Sequence, residues 1–110
     1  LGITGQVGSG KTSILTLLTR QYDVSSGSIL IDNKNIKDHN LHLLRKNCGV
    51  VPQEAFLFSD TIANNISFGS PEGKADINDV KAAATQAGVY ENIEGFAEKF
   101  NTVVGERGVT

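Results

Sequence analysis

The densest chemistry lies near the start of the chain, where Gly5, Gln6, Val7, Gly8, Ser9, Gly10, Lys11 and Thr12 satisfy G-x-x-x-x-G-K-[ST] at every fixed position. Such a run can cradle a polyphosphate. Its glycines let the backbone bend tightly enough for successive N–H groups to converge on phosphate oxygens. A helix opening at the lysine adds its positive end to the same place. Lys11 would set a mobile ammonium on the outer phosphates, and Thr12 would offer its hydroxyl to Mg2+, an ion that takes few protein ligands and keeps its waters. Ser13, next in the chain, belongs to the same candidate set. The competing reading is a glycine-rich turn that happens to precede a lysine.

The elements around this run are those it requires. Leu1 to Thr4 is short and apolar and reads as a strand feeding the loop, and Lys11 to Tyr22 places Ile14, Leu15, Leu17, Leu18 and Tyr22 near one helical face. Ser25-Ser26-Gly27 signals a turn, Ser28 to Asp32 a strand, and Asn33-Lys34-Asn35 a second turn. Leu41 to Asn47 reads as a short helix capped by Asn40. Cys48 to Val51 reads as a buried strand halted by Pro52, with Cys48 a small buried hydrophobe. A loop from Gln53 to Asp60 leads into a helical turn or two through Thr61 to Ile66, and Ser70-Pro71-Glu72-Gly73 is a linker. Asp76 to Ala87 is an alanine-rich helix stopped by Gly88, and the remainder mixes helix and loop.

Composition narrows the functional classes. At 110 residues the chain can build one small domain, and 39% hydrophobic with 20% charged residues is ordinary for a globular protein. A net charge of −2 without a Lys/Arg stripe argues against nucleic acid as a partner. No window approaches eighteen uninterrupted apolar residues, and no secretory leader is evident. A single cysteine rules out an internal disulfide framework. The absence of Met and the apolar start at Leu1 lead us to expect an internal fragment of a longer protein.

Beyond the phosphate loop, four stretches resemble the ATPase domains of exporter-type ABC transporters. Tyr22-Asp23 followed by Ser26 to Asp32 resembles the family segment YDP-x-x-G-x-I-x-I-D-G, with Val24 in place of the proline and Asn33 in place of the glycine. Asn40 to Arg45 is similar to the short "LR" helix. Val50-Val51-Pro52-Gln53-Glu54-Ala55-Phe56-Leu57-Phe58, with Thr61-Ile62, Asn65-Ile66 and Phe68-Gly69 behind it, resembles the Q-loop and its exit. Thr102 to Gly108 is similar to the exporter X-loop. The resemblance runs along essentially the whole chain, in family order and spacing.

The resemblance implies an α/β fold: an incomplete P-loop NTPase, the ABC ATPase core, with part of the antiparallel β-subdomain and the start of the helical subdomain. It implies one partial domain, residues 1–69 holding the phosphate loop, β-subdomain and Q-loop, and residues 70–110 the start of the helical subdomain and the X-loop. ATP and Mg2+ are the implied cofactors. Gln53 would act with Lys11 in catalysis, reaching Mg2+ and the attacking water through a neutral amide that can accept, ligate and swing away. Phe56 and Phe58 would face a coupling helix or else pack in a core. Glu106 and Arg107 would meet the transmembrane domains, the implied partners together with a second ATPase domain in a homodimer or heterodimer. The implied location is the cytoplasmic face of the cell membrane.

Ile29-Leu30-Ile31-Asp32 looks like a Walker B strand but comes only about twenty positions after Lys11, between two turn signals, and reads better as a hairpin arm. Glu54 is not placed where the family keeps its hydrolytic glutamate, and His39 and His42 read as surface residues. The family's LSGGQ signature, Walker B pair, switch histidine and adenine-stacking aromatic are not among these residues. The expectation is therefore a chain that binds nucleotide without hydrolysing it and self-associates through the Leu1–Thr4 edge. The alternatives are a non-hydrolysing interaction module or an unrelated P-loop kinase or GTPase, against which stands the lack of an N-K-x-D tetrad.

Overall fold

Secondary structure in this chain is set largely by what closes each element, and the first helix shows how. In the computed structural model, which describes residues 1–105, α1 spans Lys11–Leu18. It stops four residues short of the span the apolar spacing predicts, because Arg20 enters the left-handed region at φ 55°. There Gln21 N–H donates to Thr16 O (2.9 Å) and Arg20 N–H to Leu17 O (3.1 Å), the paired bonds of a Schellman turn. Arg20 also forks onto Asp23, its Nε and Nη2 donating to the two carboxylate oxygens at 3.0 and 3.1 Å. The pairing holds the Asp23 carboxyl below the usual carboxylate range and raises the Arg20 guanidinium. No residue of α1 is buried.

The residues fall into two units, Leu1–Val50 and those from Val51 onward. In the first, β1 (Leu30–Ile31) pairs antiparallel with β2 (Lys34–Asn35). The two residues between them, Asp32 and Asn33, have φ of 51° and 62°, as a tight hairpin turn requires of both central positions. This confirms a hairpin arm at Leu30–Ile31 and starts the turn one residue earlier than Asn33-Lys34-Asn35, at Asp32. A 3₁₀ helix, Ile36–Asp38, follows; the Asn35 side chain accepts from Lys37 N–H, and Ile36 is buried. His39, expected at the surface, is half-buried, its Nε2 donating to Ile31 O at 3.1 Å. Helix α2 (Leu41–Lys46) is capped by Asn40, as expected, and buries Leu44. From α2, Arg45 Nε donates to Thr19 O (3.0 Å) and its Nη2 to Arg20 O (3.2 Å).

The second unit has its own core. β3 (Asp60–Thr61) pairs antiparallel with β4 (Val103–Val104) and runs into α3 (Ile62–Ser67), capped by the Thr61 side chain. Helix α4 (Ile77–Gln86) starts at Asp76, whose carboxylate accepts from Asn78 N–H at 2.7 Å, and buries Val80 and Ala84 one turn apart. These pack with Ile93 of α5 (Tyr90–Glu94) and Phe100 of a 3₁₀ helix, Lys99–Asn101; Ile62, Ala63, Ile66, Ala75 and Tyr90 close around them. The two antiparallel strand pairs and the short helices form a small α/β arrangement, the fold class the sequence implies.

Two expected strands are absent. Leu1 to Thr4 forms no regular element, and Cys48 to Val51 is irregular, with Cys48 exposed and Val51 95% accessible. A strand exists only through a ladder with a neighbour. Among the described residues neither segment has one, so both keep apolar character without β structure.

The end of α4 confirms the stop read at Gly88. Gly88 N–H reaches Thr85 O and Val89 N–H reaches Ala84 O, both at 3.0 Å, with Gly88 at φ 76°. A Cβ at Gly88 would meet no atom within 4 Å, so only the backbone conformation penalises a side chain there. Gly88→Ala is expected to lower stability by about 1 kcal/mol. Gly69→Ala, also in open space but not at positive φ, should stay within about 0.5 kcal/mol of wild type in the same urea titration.

Candidate phosphate-binding site

The glycine-rich loop folds back on itself before the helix begins. Ser9 N–H donates to Gln6 O at 3.1 Å, and Gly8 and Gly10 take φ of 82° and 93°. Gly5 lies so close to the returning chain that a Cβ there would come within 2.6 Å of Ser9 Oγ. Gly10 is the cap of α1 and supplies no side-chain acceptor, so the helix opens without a side-chain cap on its first amides. Lys11 curls over the loop: its Nζ donates to Gly5 O at 2.7 Å and Gln6 O at 2.8 Å. An ammonium has three N–H donors, so one remains available.

The result is an electropositive depression of about 290 Å3 lined by Gly8, Gly10, Lys11, Thr12 and Ser13. Its lining contains no carboxylate. Uncapped amides, the positive helix end and a cation meet in one place, a donor set suited to phosphate oxygens. The Thr12 hydroxyl borders the same space. Gln6 and Val7 form the exposed outer curve of the loop.

Gly5 through Ser13 thus lie together in the first unit. Gln53 belongs to the second, exposed at a bend, as is Glu54. Asp32 sits in the hairpin turn rather than at a strand end. Phe56 and Phe58 are not packed in a core: they are 61% and 44% accessible and lie edge to face at a centroid separation of 5.0 Å. Phe68, which sequence reasoning gave no role, packs on Phe58 at 4.7 Å and completes an exposed aromatic trio. Glu106 and Arg107 lie outside the described residues.

Asn65 was also missed. Its Oδ1 accepts from Phe58 N–H (2.8 Å) while its Nδ2 donates to Phe58 O (3.1 Å) and Thr61 O (2.9 Å). One amide therefore grips both backbone groups of Phe58. The spacing of an asparagine seven residues after a loop aromatic carries no general signal for this. Arg45 had been placed in its helix but not paired with α1.

A family profile described as ABC transporter matches residues 1–107. The chain belongs to the ABC transporter family. It is 44% identical over 110 residues to the ATP-dependent lipid A-core flippase of Haemophilus influenzae, covering all of this chain and 19% of that protein. It is 47% identical over 109 residues to ATP-binding cassette sub-family B member 6 of Homo sapiens, covering 99% of this chain and 13% of that protein. Among solved structures, a bacterial Atm1-family ABC exporter with ATP bound matches with a TM-score of 0.85 and 41% identity, over 94% of this chain and 18% of that one. The chain therefore spans about a fifth or less of the length of the relatives it matches. These likenesses decide against the kinase and GTPase alternatives. Among the described residues no helix is long and apolar enough to cross a membrane.

Close to the aromatic trio, Asp60 is held below the usual carboxylate range, first by a hydrogen bond from the Asn64 amide and then by the N–H of Thr61. Its folded pKa lies below its unfolded one, so its contribution is present above the unfolded value near about 4 and is lost as pH falls through the folded one. Urea unfolding of wild type and Asp60→Asn should show wild type the more stable at neutral pH. The gap should close as pH drops below about 4.

Proposed function

We propose that this chain is the phosphate-binding part of the ATP-hydrolysing domain of an ABC exporter, within a larger protein that couples ATP hydrolysis to transmembrane export. The observation that supports this most directly is the Lys11 ammonium lodged beside the uncapped start of α1, in a family whose matched members include ATP-dependent transporters. When bound, Mg-ATP supplies the γ-phosphoryl group for transfer to water. The residues of this chain bind and orient it. Free backbone amides of the loop and of the start of α1 would take the phosphate oxygens, and Lys11 would exchange its bonds to Gly5 O and Gln6 O for bonds to the outer phosphates. Thr12 offers its hydroxyl to Mg2+. Gln53 carries the Q-loop role toward the metal and the attacking water that the motif around it implies.

In this reading the 110 residues form a single partial domain that binds nucleotide without turning it over, because none of them supplies the hydrolytic carboxylate the family places after its Walker B aspartate. The exposed trio of Phe56, Phe58 and Phe68 is available to meet the transmembrane domains, a role the X-loop motif also implies for Glu106 and Arg107. A second ATPase domain completes the site, and the assembly works at the cytoplasmic face of the membrane. The apolar residues Leu1, Ile3, Ile14 and Leu15 border an open groove of about 370 Å3, which supports self-association of the chain taken alone.

Calorimetry of Mg-ATP binding to the chain, beside Lys11→Ala and with phosphate release followed in the same samples, tests the reading. Binding weakened about tenfold or more in the variant, with no release from either, is the expected result. Lys11-dependent release would transfer the hydrolytic role to an acid of this chain. Equal binding by wild type and variant would remove the phosphate loop from the function.

A further inference from the structure

The helix that presents Lys11 and Thr12 has little to hold it. At eight residues α1 is too short to persist in water by itself, and it buries none of its side chains. Its C-terminal turn places Arg20, a residue with a Cβ, in the left-handed region, a conformation that costs rather than contributes stability. Against this stands one tie from outside. Arg45 of α2 spans Thr19 O and Arg20 O with two donors of its planar fork. The residues joined are 26 and 25 positions apart; every other side-chain hydrogen bond among the described residues joins positions no more than eight apart. The base of the tie is itself fixed, since α2 is capped by Asn40 and buries Leu44.

Arg45 also supplies the right charge. The carbonyl end of a helix is its negative pole, and a guanidinium there complements it. Two adjacent carbonyls left over by the Schellman turn are thus satisfied and neutralised by one side chain, while the opposite end of the same helix is left bare for an anion.

We propose that Arg45 is a positioning residue for the phosphate site, fixing the C-terminal end of α1 so that its N-terminal amides, Lys11 and Thr12 are held ready for phosphate. This rests on the phosphate-binding reading above. It gives the short helix between the hairpin and the Gln53 loop a direct part in nucleotide affinity, through a contact some eight residues along α1 from the phosphates.

The test uses Mg2+ with inorganic tripolyphosphate as the probe, measured by calorimetry on wild type, Arg45→Ala, Arg45→Lys and Lys11→Ala. Amide hydrogen exchange is followed in parallel without phosphate. Arg45→Ala is expected to speed exchange of the Leu15 to Thr19 amides about tenfold and to weaken tripolyphosphate about fivefold, with the α4 amides unchanged. A lysine ammonium is a point charge without the planar fork that fits both carbonyls in a fixed geometry, so Arg45→Lys should fall between wild type and Arg45→Ala in both measurements. Wild-type exchange in α1 of Arg45→Ala, or faster exchange with undiminished tripolyphosphate binding, overturns the proposal. Should Arg45→Ala lose its fold, seen as faster exchange in α4 as well, Arg45→Lys decides: wild-type behaviour in both measurements overturns the proposal too. Wild type binding no better than Lys11→Ala would instead sink the phosphate-site reading, and this proposal with it.

Discussion

The bond pair from the Lys11 ammonium to the carbonyls of Gly5 and Gln6 organises what lies around it. Without a partner the cation would sit in a loop rich in glycine, restrained otherwise by the bond from Ser9 N–H to Gln6 O. With it, the loop has a bridge from its start to the first residue of the helix. The two carbonyls lend the ammonium acceptors that a phosphate can replace, since both are oxygen ligands of similar reach and the phosphate carries full charge. The cradle is preformed because its cation is already bonded to the loop's own backbone.

Everything that positions this bridge works through helix ends. Gly10 opens α1 with no side chain to block its amides; the Schellman turn and Arg45 close it. In the second unit the same device recurs with different residues: Thr61 and Asp76 open α3 and α4, and Gly88 closes α4. The second unit adds a small apolar core of Val80, Ala84, Ile93 and Phe100, which the first does not match. The first unit, bearing the chemistry, is held mainly by directional bonds.

Legibility from sequence followed locality. Caps and stops such as Asn40 and Gly88 act within five residues of themselves and were readable, whereas Asp76, read as helical, is the cap of α4. The path of the glycine-rich loop was readable for the same reason, since its pattern encodes a backbone course and the place of a charge within eight residues. The hairpin was read, but its turn starts one residue earlier than expected because Asp32 and Asn33, rather than a glycine, take the left-handed conformation. Leu1–Thr4 and Cys48–Val51 were misread because a strand is a relation between segments, and apolar composition reports only half of it. Arg45 and Asn65 were invisible as contacts: each acts on backbone groups, which have no signature of their own in the sequence.

The grip of Asn65 on Phe58 has a mechanical side. A loop residue is ordinarily fixed by a neighbouring strand, which spreads its hold over many rungs and releases them together. Here a single side chain stands in for that strand, and it holds one residue at both its N–H and its C=O. The aromatic trio is therefore clamped in place at rest. Swinging that amide aside would leave the Phe58 carbonyl on Asp60 N–H (2.8 Å) alone, without unwinding α3. The loop leaving Gln53 is built with a catch instead of a seam.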